Sequence, residues 1–363
     1  YKCYRDRLPD SGDPFSDADA DRFRRDFVTE EQTEPELQHD GGLGFLLAAH
    51  VYHALGEDRR ALYCEETLCR TARTIMELMN AGDGRLKSVK EVDAERERGT
   101  HSRQQDGWAL KFLSQLYFYF QFGPGEHKDY ARELLGMAGE MVRYQLSKPL
   151  EPGCGGDCRV YDGRILAGIG WYLLAHKAEH GQYFGTEAAG RVMKFAAECC
   201  AELNTSRGWY DEGCFEEGGC HSWCGNMNLL NGLLPVRRMM KTLRARNHEE
   251  ATELWPRVEG GIRGAMRFLT ITCDSVTDRP SFVPSRTSQW AAGNMYEICG
   301  EYRRQVEEDD GVRRLMDHLV LGAGAKIVSC FHRNNASGAM LMHCPEYRGL
   351  REKPPLPWDA AGA

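Results

Sequence analysis

The sequence has no apolar run approaching the ~20 residues that cross a bilayer, so a membrane-spanning role has no support in it. It has no excess of positive charge either. Against 54 Asp and Glu stand 46 Lys and Arg, for a formal net charge of -8, and no Lys/Arg block stands out. That removes the basic field on which nucleic-acid binding rests. There is no G-x-x-x-x-G-K-[ST] loop, and the Gly-x-Gly segments open helices with no strand before them, which argues against a nucleotide site. No break in composition divides the chain. Its 363 residues are expected to form one domain over 1–363, with a core over about 40–330 and an irregular tail over 338–363.

Cysteine, by contrast, is abundant. There are fourteen, several of them clustered: Cys64 and Cys69, Cys154 and Cys158, Cys199 and Cys200, then Cys214, Cys220 and Cys224. An even, clustered set fits disulfide bonds in a secreted protein, and buried thiols packed as small hydrophobes are the alternative. Two glycosylation acceptor sequences, starting at Asn204 and Asn335, agree with an extracellular glycoprotein.

Apolar residues recur with a period of 3.6 in paired segments. The pairs are predicted at 42–55 with 59–79, 105–122 with 128–146, 163–179 with 186–203, 226–244 with 249–269, and 289–306 with 312–329. Short Gly-rich or charged turns inside each pair imply antiparallel neighbours. The first helix of a pair is apolar nearly all round, as in QLYFYFQF and GIGWYLLA, whereas the second carries a solvated face. Buried first helices wrapped by amphipathic second helices make an inner and an outer layer. An open superhelix is the structural alternative.

In this respect the chain resembles the (α/α) toroid enzymes, which include six-hairpin glycosidases, several polysaccharide lyases and lanthionine cyclase-like proteins. The resemblance spans about residues 40–330. It implies an all-α fold, an (α/α) toroid of five to seven helical hairpins with inner and outer rings, in which the inner helix starts converge on one mouth.

Those starts are rich in functional groups: QHDGG (38–42), THSRQQDGW (100–108), VYDGR (160–164), GCHSWCGNMN (219–228) and SRTSQWAAGNM (285–295). Helix capping accounts for one polar residue at each start, not for several together. In the second start, His101, Arg103, Gln105 and Asp106 are candidate substrate-binding groups and Trp108 a stacking platform for a sugar ring; Asp106 reads equally well as a helix cap. Trp223, Gln289 and Trp290 join this substrate-binding set.

The order His221 and Asn226, then Arg286 and Tyr296 one hairpin later, is similar to that of the (α/α) alginate and glucuronan lyases. The doubled Asn-Asn-His string of the alginate lyases is absent, and Asn226 follows His221. The resemblance implies a secreted lyase acting by β-elimination on a uronic-acid polysaccharide. Asn226 and Arg286 would neutralise the uronate carboxylate, His221 would be a base, and Tyr296 would be a base or acid. Elimination needs a neutralised carboxylate so that the C5 proton becomes acidic, then a base and a proton donor for the leaving oxygen.

Three other readings remain open at this stage. An inverting glycoside hydrolase needs two carboxyl groups roughly 6.5–9.5 Å apart, and Asp40, Asp106, Asp162, Asp211, Glu212, Glu216 and Glu217 are candidates. No cofactor is expected, yet Cys220, His221 and Cys224, with His343 and Cys344 near the tail, are zinc-type ligands, and SWCGN resembles the zinc-binding cyclase toroids. Asp17, Asp19 and Asp21 alternate as in a calcium loop but lack its Gly and terminal Glu. A helical-repeat binding protein is the non-enzymatic alternative.

Overall fold

The computed structural model describes residues 45–46, 49–50, 52–78, 80–87, 103–124, 127–155, 161–203, 220–274, 279–280, 298–306 and 311–312, and for 74, 78, 186, 202–203, 220–225, 271–274 and 279–280 the backbone alone. Helix α1 is Asp58–Arg73, continued by a wider turn over Thr74–Leu78. Helices α2 (Arg103–Phe122), α3 (Lys128–Ser147), α4 (Asp162–His180), α5 (Thr186–Leu203), α6 (Cys220–Arg244) and α7 (Glu249–Thr272) follow. Residues 298–305 are also helical. After α7, β1 (Cys273–Asp274) pairs antiparallel with β2 (Arg279–Pro280), Cys273 opposite Pro280.

The all-helical, hairpin-based reading therefore holds over these residues. The largest difference is at α6, which begins six residues before the expected 226. His221, Trp223 and Cys224 thus sit within its first turns rather than in a loop. Most of the expected helix over 312–329 falls outside the described residues.

Helices α2, α4 and α6 form one layer. Helix α4 lies between the other two, with α3 behind α2, and α7 behind α6 and α5. Nearly every α4 side chain from Asp162 to Ala175 is buried, as is the run Leu116–Phe120 of α2, because each has helices on several sides. In α3, Ala131, Leu134, Leu135, Ala138, Met141 and Val142 are buried at helical spacing, so it offers one apolar stripe inward.

Glycine sets the closeness of the inner layer. A Cβ on Gly107 would lie 2.5 Å from the Arg164 carbonyl oxygen, and one on Gly168 would lie 2.4 Å from that of Gly107. On the other flank of α4, a Cβ on Gly163 would lie 2.2 Å from the Asn228 carbonyl oxygen, and one on Gly232 would lie 2.6 Å from that of Gly163. Backbone meets backbone at both crossings, which only a residue without a side chain permits. Contacts advance in the same direction along each helix, from Gly163 against Asn228 to Gly170 against Pro235, so the inner helices run parallel and bring their N-terminal ends together.

The outer helices are tied on by ion pairs and caps. Arg103 donates from Nε to Gln145 Oε1 (3.1 Å), from Nη2 to the Gln145 carbonyl (3.1 Å) and from Nη1 to that of Pro149 (3.0 Å). Arg191 donates to the carbonyls of Leu146 and Lys148 at 2.7 and 3.0 Å. Two arginines thus donate to carbonyls at and just beyond the end of α3. Arg237 of α6 donates to Glu259 of α7 at 2.6 Å and lies over the Trp255 ring, 4.8 Å from its centroid. Glu301 accepts from Arg238 at 2.8 Å and also from Arg304 and Gln305, fixing residues 298–305 against α6.

Candidate functional site

The Asp-Gly pairs at two inner helix starts do one structural job. Asp106 lies in the first turn of α2 with 0 % exposure. Its Oδ1 accepts from the Leu86 N–H (2.9 Å) and its Oδ2 from Gln145 Nε2 (2.9 Å). Asp162 opens α4, and its two oxygens accept from the N–H groups of Gly153 (2.6 Å) and Gly155 (2.9 Å). Each carboxylate pins the loop that precedes its own helix, and each Gly beside it makes room for the next inner helix. Asp106, expected as a substrate-binding group or a helix cap, is buried and bonded to Leu86 and Gln145.

Above these anchors the inner helices carry a cluster of polar side chains. On α2, Gln104, Trp108, Lys111 and Gln115 are spaced to share one face, and Lys111 and Gln115 are wholly buried. Lys111 Nζ donates to Asn231 Oδ1 of α6 at 3.2 Å, reaching past α4 to the far inner helix. Asn228 lies one turn before Asn231. Arg164, at the start of α4, donates from Nη1 to Gln104 Oε1 at 2.7 Å. The Trp108 ring carries both cations, with Lys111 Nζ 5.0 Å and Arg164 Cζ 5.2 Å from its centroid. Although buried, Trp108 stands outside the contiguous apolar core.

The candidate residues fall into three groups. Asn226 is fully buried at the start of α6, Gln105 is half-buried in the first turn of α2, and Arg103 is engaged with the end of α3. Trp108, the expected stacking platform, is buried and its ring carries Lys111 and Arg164. His221 and Trp223 have helical backbone in α6, but their side chains lie outside the described residues, as do His101, Arg286, Gln289, Trp290 and Tyr296 entirely. Of the expected residues, Trp108 contacts this polar cluster, and Asn226 lies buried on α6.

Sequence reasoning passed over Lys111, Asn228 and Asn231. The signal was there: polar residues at helical spacing inside otherwise apolar runs, AL-K-FLSQLYF and N-LL-N-GLL, on helices buried all round. Comparison with protein-family models, curated proteins and solved structures finds no match. The chemistry of the polar cluster rests on its own residues.

A second polar cluster occupies the opposite end of α2. Glu65 of α1 accepts from Tyr119 Oη (2.7 Å) and lies 2.9 Å from His53 Nε2. Tyr117 Oη likewise donates to Glu179 (2.8 Å). Burial, and then the neighbouring carboxylate, push both phenols well above their ordinary pKa, so they remain hydrogen-bond donors.

The cysteines do not supply the expected crosslinks within the described residues. Cys69, Cys154 and Cys200 are free thiols, so neither the Cys64/Cys69 nor the Cys199/Cys200 cluster is a disulfide. Burial pushes the Cys69 and Cys154 thiols up to about 11 and that of Cys200 up to about 12. Among the described residues no three His, Cys, Asp or Glu side chains gather as a metal site. The side chains of Cys220, His221 and Cys224, the whole of His343 and Cys344, and Asp17, Asp19 and Asp21 lie outside them. No helix among the described residues is long and apolar enough to cross a membrane.

Proposed function

We propose that this chain is a secreted polysaccharide-cleaving enzyme that breaks a uronic-acid polymer by β-elimination, on a single (α/α) toroid whose inner ring includes α2, α4 and α6. One observation carries the reading. The inner layer holds Lys111 bonded to Asn231, Arg164 on the same Trp108 ring, and Asn226 and Asn228 buried on α6, while the two described carboxylates of its helix starts, Asp106 and Asp162, accept from loop N–H groups and, for Asp106, also from Gln145. Cations and amide N–H groups neutralise a carboxylate, and they gain strength where water is excluded. The hydrolase alternative loses two of its candidate acids for the same reason.

In the proposed reaction Asn226 and Arg286 face the uronate carboxylate, and His221 or Tyr296 removes the C5 proton. The C4–O bond then breaks and Tyr296 returns a proton to the departing oxygen. One product carries a 4,5-unsaturated uronate and the other a new reducing end, with no water consumed. Incubation with alginate, glucuronan and pectate is expected to raise the ultraviolet absorbance of the unsaturated uronate. Reducing ends released without that absorbance would move the assignment to hydrolysis. Tyr296→Phe is expected to abolish turnover with the thermal midpoint unchanged, and near-normal activity would remove Tyr296 from the mechanism.

A further inference from the structure

We propose that His176 and His180, at the C-terminal end of α4, form a two-histidine site for a divalent transition-metal ion of the nickel, copper or zinc class. The sequence HKAEH (176–180) sets the two imidazoles four residues apart, and residues so spaced share one face of a helix. A single helix supplies two histidine ligands to zinc by that same spacing. In the fold the rings come together, with centroids 4.4 Å apart and planes at 54°.

The first ring is held as a metal ligand needs to be. Gly181 takes the left-handed conformation (φ 73°), and its N–H closes α4 on the Lys177 carbonyl. The chain turns back there and brings the Gln182 carbonyl oxygen to 2.8 Å from His176 Nδ1. A carbonyl oxygen only accepts, so Nδ1 carries the proton and, in the neutral ring, Nε2 carries the lone pair. Metal-bound histidines are fixed in this way, through a hydrogen bond from the second ring nitrogen to a carbonyl or carboxylate. Phe184 and Tyr172 pack on the same ring, at 5.3 and 5.8 Å between centroids, so its orientation is set before an ion arrives. His180 is exposed and its ring makes no hydrogen bond among the described residues, which leaves its nitrogens open to an ion from solvent.

The donor set states the class of ion. Glu179, between the two histidines in sequence, accepts from Tyr117 and Arg132 instead. Two imidazoles without a carboxylate suit nickel, copper and zinc, whereas magnesium and calcium take oxygen ligands. Lys177 and Arg143 place their charges over other rings, those of Tyr183 and Phe184. The open carbonyls of a helix's last turn carry partial negative charge, which favours a cation at this end. Water fills the remaining coordination positions, so the ion is exchangeable. Asp162 opens the same helix, so the site lies at the far end of α4 from the inner helix starts and is separate from the reaction proposed above.

The full chain is titrated with Ni2+ by calorimetry, with Mg2+ as the oxygen-preferring control. His180→Gln removes an exposed ring and is expected to leave the thermal midpoint of the metal-free protein unchanged. It is expected to delete one Ni2+ per chain or to weaken that site at least tenfold, whereas Lys177→Gln retains it. Any Ni2+ held by the cysteines persists in His180→Gln, so the site is read as the difference between the wild-type chain and this variant. Equal stoichiometry and affinity in the two proteins, no binding of Ni2+ to the wild-type chain, or Mg2+ bound as tightly as Ni2+ would each overturn the site.

Discussion

Replacing Gly163 with alanine tests how the inner layer is built. The new Cβ would lie 2.2 Å from the Asn228 carbonyl oxygen, 2.3 Å from its carbon and 2.5 Å from the Leu229 nitrogen, all backbone atoms of α6. Ordinary contact begins near ~3.5 Å, so α4 and α6 must separate by about 1 Å or the helices must bend. Overpacking of this sort costs about 1–3 kcal/mol or more, because no side chain is there to rotate away. Against this stands a gain of about 1 kcal/mol from replacing glycine within a helix. With the cost at the upper end of its range for a clash this close, the net expectation is a loss of about 1–2 kcal/mol, read as a lower urea midpoint at unchanged slope. Gly136→Ala in α3 is the control, since its Cβ would meet nothing within 4 Å and only the helix-forming gain of up to about 1 kcal/mol applies. Equal stability changes in the two variants would refute the close crossing of α4 and α6.

Asp106→Ala strands the Leu86 N–H and Gln145 Nε2 and is expected to cost about 3 kcal/mol of stability. Unchanged stability with lost turnover would instead return Asp106 to the substrate site. Burial pushes the Glu259 carboxyl up, but Arg237 and Arg263 outweigh it and hold it below the ordinary glutamate value. The carboxylate therefore contributes stability above the unfolded-state pKa and loses it as pH falls through the lower folded-state value; Glu259→Gln should flatten acid unfolding there, and an unaltered acid limb would contradict the pairing. In the unfolded, unreduced chain Cys69, Cys154 and Cys200 should all react with a thiol reagent, whereas in the native protein at neutral pH their raised pKa values should keep them slow. Finding any of the three blocked after unfolding would overturn their assignment as free thiols.

The hairpins were legible in the sequence because a helix buried all round and a helix buried on one side differ in their apolar period, and QLYFYFQF and ARELLGMAGEMV differ in that way. The turn of α4 into α5 was legible too: Gly181 takes the left-handed conformation that closes a helix. Less could be read at the helix starts. A polar residue beside glycine looks the same in sequence whether it caps a helix, anchors a loop or meets a ligand. Asp106 and Asp162 proved to be loop anchors because their partners, Leu86, Gln145, Gly153 and Gly155, approach only when the outer helices and loops are in place. Lys111 was passed over for a related reason, since its partner Asn231 is 120 residues away and local pattern carries no trace of the pairing. Clustered cysteines pointed to crosslinks, but Cys200 packs against Gly261 as a small buried hydrophobe.

The mass of the products tests the proposed chemistry most directly. When a uronic-acid polymer is cut by elimination, the two fragments together weigh the same as the chain from which they came, and the account expects that balance with the unsaturated terminus on one fragment. Fragments heavier in sum by one water would contradict it, as would a polymer left intact by a protein that binds uronate.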